Sequence, residues 1–141
     1  QCVASCHYGA AKAVYDQSVE ILQKKIAEYA FAALLGKSHF HINFLMNISP
    51  NCDCGSSNDL AIVPDIGIAA SFDPVALDRA CVDMVNEAPA ITKSVLFDKG
   101  EYQEGMDKFE FVYPEIHWSA CLDHAELIGL GNQDYSLIRI K

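Results

Sequence analysis

The sequence predicts an α/β fold: a small, mostly parallel sheet of about three strands with three main helices. Three observations carry this. Apolar residues recur at helical spacing in three separate stretches. Another stretch, around residues 40–48, alternates with period two. The two kinds of segment interleave in the order helix, strand, strand, helix, helix, strand. So few strands make a small sheet, so the chain reads as an incomplete part of a larger α/β domain.

The first helix is expected from about Asp16 to Leu35, with Val19, Leu22, Ile26, Tyr29, Ala30, Ala33 and Leu34 as its apolar face. Asp16 or Ser18 can accept its first free amides, and Gly36 can end it. From Phe40 to Ile48 the period changes. Phe40, Ile42, Phe44, Met46 and Ile48 share one face of a strand. His39, His41, Asn43, Leu45 and Asn47 share the other, a polar but uncharged face that reads as a pocket wall. A polar loop follows Pro50. A second strand is expected over Leu60–Val63 and Ile66–Ala70, broken at Pro64; its nearly continuous apolar character suits a buried parallel strand.

Asp73 and Pro74 then open a helix as N-cap and first helical residue. Leu77, Cys81, Met84 and Val85 form its buried stripe, and Pro89 lies beyond its end. In residues 90–114 the alternation of Phe109, Phe111 and Tyr113 predicts a short extended segment. The last helix spans about Ile116–Ile128, with Trp118, Cys121, Leu122, Ala125 and Ile128 inward. The tail Tyr135–Ile140 alternates and reads as a final strand.

The 141 residues suffice for one domain with a real core, and 51% are hydrophobic. A net charge of −9 argues against nucleic acid and anionic membrane surfaces as partners. The six cysteines do not read as a disulfide framework. Cys81 and Cys121 sit in apolar helical segments, and Cys52 and Cys54 are one residue apart. A reduced, cytoplasmic protein is the expectation.

Three constellations could carry chemistry. Cys2 and Cys6 are spaced like the last two cysteines of a ferredoxin run, C-x2-C-x2-C-x3-C, with Gly9 and Ala10 following and His7 where that run has proline. His39 and His41 lie two apart on a strand, with Cys52 and Cys54 in the next loop, an N2S2 set that zinc or iron would accept. Asp65, at a break before a strand, is a candidate acid–base residue beside those histidines. His117 and His124 read as helix-surface residues.

Read together, the segments QCVASCHYGA, HINFLMNISPNCDC, IVPDIGIAASFDPVALDRACVDMVN and LDHAELIGLGN resemble an uncharacterised family of prokaryotic iron–sulfur-centre proteins. In that family a ferredoxin-type module is inserted into an α/β domain of unknown function. The resemblance implies that residues 1–12 are the remnant of a cluster motif and 13–141 the C-terminal part of the α/β domain. It implies a four-iron four-sulfur cluster in the intact protein, with Cys2 and Cys6 as two of four ligands and no intact cluster on this chain alone. The expected role is electron transfer or redox chemistry with an unidentified protein or small molecule. Two other readings compete: a zinc-dependent hydrolase or lyase, and a non-catalytic interaction domain. An open sheet edge would also allow a homodimer.

Overall fold

Ser18 begins the first helix: its side chain accepts from the amide of Ile21, and α1 runs Val19–Leu34. In the computed structural model, residue 8 and residues 18–52, 58–98 and 100–140 are described. Gly36, at φ +71°, takes the left-handed conformation that follows a helix end without a Cβ penalty. The buried side of α1 is rotated from the expected stripe. Leu22, Ile26 and Tyr29 are exposed, and Ala27 is the buried residue. The helix packs on the last helix through Ala27, where a small side chain lets the two backbones approach.

The sheet has two strands among the described residues, β1 (His41–Leu45) and β2 (Gly67–Ser71). They are antiparallel, with Leu45 opposite Gly67 and His41 opposite Ser71. This corrects the expectation of about three mostly parallel strands. A parallel pair needs a crossover, usually a helix. No helix occurs among the described residues between β1 and β2, and the chain returns beside itself. Ile62 N–H donates to the Ile48 carbonyl at 2.8 Å, and Ile66 N–H to that of Leu45 at 2.8 Å. Leu60–Val63 is not a strand; Ile62 and Val63 are buried in a bend.

Helix α2 (Pro74–Glu87) lies against both strands. Asp73 caps it, accepting from the amides of Val75 at 2.8 Å and Ala76 at 3.0 Å. Two short helices follow, α3 (Val95–Asp98) and α4 (Lys108–Val112). The second replaces the extended segment expected at Phe109–Tyr113, because Asp107 caps a helical turn there by accepting from Glu110 N–H. Helix α5 (Ser119–Leu127) ends at Gly129, φ +81°, with Leu130 N–H returning to the Ala125 carbonyl. Residues 135–140 form no strand. Leu137, Ile138 and Ile140 stay exposed, and the Tyr135 hydroxyl is held by Asp83.

The core forms two clusters. Leu45, Ile62, Val63, Val85, Leu96 and Tyr102 pack under the sheet. Ala27, Val75, Leu122 and Ala125 join α1, α2 and α5. The outer face of the sheet carries Phe40, Ile42, Phe44, Ile68 and Phe72, all exposed. The strand face that looks apolar in sequence is therefore the outer one, and α2 covers the face bearing His41, Asn43 and Leu45.

Candidate functional site

Asn43 is central to β1, and the pleat turns its side chain toward α2. On α2, Asp78, Cys81, Val82 and Val85 follow the i, i+3, i+4, i+7 spacing of one helix face. The two elements meet there. The Asn43 amide donates to the Asp78 carboxylate at 2.8 Å and to the Cys81 sulfur at 3.4 Å. Beside them opens a cleft of about 490 Å³, bounded by β1, α2, α5 and Gln23 of α1. Leu45, Val85, Phe109 and Leu122 supply apolar walls; Asn43, Asp78, Cys81, Cys121 and Trp118 supply polar atoms.

Both cleft thiols are held protonated. Burial pushes the Cys81 thiol up, and the nearby Asp78 charge adds to this against the Asn43 hydrogen bond. Burial also pushes up Cys121, again with Asp78 reinforcing, while a backbone hydrogen bond at Ala27 opposes it. Since the thiolate is the nucleophile and the metal ligand, burial works against reactivity at both thiols. An apolar floor with an exposed carboxylate suits a small molecule with an apolar body and a hydrogen-bond donor or positive charge.

Trp118 is positioned by a second polar group. Asp107 accepts from the indole N–H at 2.9 Å and from the Asn86 amide at 2.9 Å, besides capping α4. Next to it, the fully buried Lys108 donates to the Asn86 carbonyl at 2.6 Å and lies 5.8 Å from the Tyr102 ring centre.

The sequence-predicted residues are partly brought together. His39 and His41 stand side by side, with Nδ1 of His39 2.9 Å from Nε2 of His41. Asn43 lines the cleft, whereas Asn47 is exposed at φ +50°. Asp65 is exposed and accepts from Asn47 N–H at 2.7 Å, a contact that holds this left-handed turn. Cys52 is exposed. Cys2, Cys6 and Cys54 lie outside the described residues. Among the described residues, no group of three or more His, Cys, Asp or Glu is placed to hold a metal ion. His117 is exposed beside Glu110, and His124 tethers α5 to Glu28 of α1.

The sequence reads Cys81 and Cys121 as residues of apolar helical segments. Their common site is legible only once α2 is laid against β1. The helical spacing from Asp78 to Val85 was the available signal.

A two-stranded antiparallel sheet backed by helices, with a cleft between the sheet's inner face and the helices, defines a small mixed α/β module. Residues 2–83 match the family described as Domain of unknown function (DUF362). That match spans more than half of the chain, and the chain belongs to this family. Comparison with curated proteins and with solved structures finds no match. Among the described residues no helix is long and apolar enough to cross a membrane.

Proposed function

We propose that the chain is the α/β portion of an iron–sulfur redox protein whose cleft beside Asn43 receives a small molecule. The observation that carries this reading is the Cys2/Cys6 pair. Cysteine thiolates are the usual cluster ligands, and a three-residue spacing closes a ferredoxin-type run. By donor chemistry these two residues fit half of a four-iron ligand set, and the reading takes the other half from elsewhere in a longer protein. When bound, the cluster supplies one-electron transfer. This chain's own part is to bind and orient. Asp78 fixes the Asn43 amide, and Trp118 and Leu122 form part of the cleft wall. Cys81 and Cys121, two cysteines outside any disulfide among the described residues, suit a reducing, cytoplasmic setting.

The test is to purify the longest native form without oxygen and measure iron, acid-labile sulfide and zinc per chain, with an absorption spectrum. Iron and sulfide in cluster stoichiometry, lost on Cys2→Ser or Cys6→Ser, are expected. Absence of iron from an anaerobically handled intact protein would overturn the reading. A zinc-dependent hydrolase or lyase using His39, His41, Cys52 and Cys54 is the second reading, favoured by the donor types of these four residues, two imidazoles and two thiols. Zinc without sulfide would select it.

A further inference from the structure

We propose that His39 and His41 form a two-nitrogen chelate for a first-row divalent ion of square or octahedral preference, nickel or copper in chemical class. The site is separate from the cleft, and neither the cluster nor the thiols of Cys52 and Cys54 are needed for it.

The strand creates the pair. His41 opens β1 and His39 lies two residues before it, so period two puts both rings on one side. Their centres are 4.9 Å apart with planes at 56°, and both side chains are partly buried. The facing nitrogens, Nδ1 of His39 and Nε2 of His41, are 2.9 Å apart. Metal–imidazole bonds are about 2.0–2.1 Å, so two nitrogens at a right angle on one ion stand about 2.9 Å apart. At the tetrahedral angle zinc prefers, the separation is about 3.3–3.4 Å. The spacing is therefore that of neighbouring ligands on a square or octahedral ion, and such N-donor sites suit copper(II) and nickel(II). In the absence of metal, one of the two facing nitrogens donates a hydrogen bond to the other. To bind an ion, the donor ring carries its N–H on its other nitrogen, and the rings turn until both lone pairs meet at the ion.

Across the ladder His41 faces Ser71. The Ser71 hydroxyl accepts from Asp73 N–H, and the Asp73 carboxylate is occupied at the start of α2. An ion held by these two nitrogens alone would take water in its remaining positions and would therefore exchange readily.

The experiment is a nickel(II) titration of the full chain under reducing conditions, followed by amide NMR. Paramagnetic broadening should begin at residues 39–42 and cross to 70–72. His41→Gln and, separately, His39→Gln should weaken apparent affinity about tenfold or more, since each leaves a single donor where two acted together. His117→Gln should leave it unchanged. Spectral dispersion reports whether each variant folds. Broadening centred on other segments, or an affinity unchanged in both folded histidine variants, would overturn the proposal. So would loss of binding at residues 39–42 in the Cys52→Ser variant, which would mean that the thiol is required.

Discussion

A Cβ added at Gly131 would stand 2.1 Å from Oδ1 of Asp73. That oxygen is not a free side-chain end. It accepts from the amides of Val75 and Ala76, and Oδ2 accepts from Asn132 N–H at 3.0 Å. One carboxylate thus starts α2 and anchors the segment after α5. Gly131 is needed for this approach rather than for its backbone, since its φ is not positive. Gly131→Ala should displace the cap and cost about 1–2 kcal/mol, the usual range for a lost N-cap. Asp73→Ala should cost a similar amount. In a double-mutant cycle by urea denaturation the two losses should fall well short of additive. Additive losses would mean that the contact does not act through the cap.

Asp107 should be the most sensitive acid outside the cleft. Asp107→Ala removes the α4 cap, the Asn86 amide contact and the Trp118 indole contact together. The expected loss is about 2–3 kcal/mol, summing one cap and one or two hydrogen bonds to a charged group. Trp118 is the single tryptophan, so its emission reports the same change directly. A destabilised variant with unaltered emission would break the link between Asp107 and the cleft wall.

Lys108 gives stability a pH dependence of known sign. Burial holds its ammonium below the ordinary 10.5, with Glu104 and Asp107 opposing. A depressed folded value means that the contribution is fully present above the unfolded value and is lost as pH falls through the folded one. Tyr102 beside it is raised, chiefly by burial, and therefore contributes in the opposite direction at high pH. The wild-type curve alone mixes the two. The difference between wild type and Lys108→Met isolates the lysine: wild type should gain on the variant as pH rises from 7 toward 10. Denaturation midpoints at several pH values measure it, and a constant difference would refute the burial argument.

The thiols of the cleft make a chemical prediction. With Cys81 and Cys121 raised above the usual thiol range, alkylation near neutral pH should reach exposed Cys52 first. Asp78→Asn removes the charge that reinforces both shifts, so both thiols should alkylate faster. They should still lag Cys52, because burial is the larger cause. Mass spectrometry of partially alkylated protein ranks the sites. An unchanged rate at both thiols in Asp78→Asn would remove Asp78 from their environment.

Particular elements show what sequence carries and what it leaves open. Ser18, Gly36, Asp73 and Pro74 mark helix ends through local chemistry, and each does so in the structure. The alternation from Phe40 to Ile48 marks a strand with two distinct faces. It does not say which face is inside, because that depends on where α2 lands. Strand direction was equally hidden, since it is decided by how residues 46–66 return rather than by any residue of β2. The tail at Tyr135–Ile140 has a strand's pattern but finds no ladder to join among the described residues. The approach of His39 to His41 was legible from spacing alone. The meeting of Asn43 with Asp78 was not, because it spans 35 positions and two elements.

The inverted sheet leads to the last prediction. Phe44 and Phe72 are 66% and 75% exposed, so folding buries little of either. Phe44 faces Ile68 across the ladder, and Phe72 meets the Phe40 ring edge-on at 5.0 Å. Such pairs contribute roughly 0.2–1 kcal/mol, so Phe44→Lys and Phe72→Lys should each cost no more than about 1 kcal/mol. Their effect on association should be larger. A contiguous apolar face in water favours self-association, and one charge near its middle interrupts it. Sedimentation velocity over a concentration series should show weaker association for either variant, at nearly unchanged unfolding midpoints. A loss of several kcal/mol would instead mean that these rings are packed in the folded chain, and the assignment of the outer sheet face would fall.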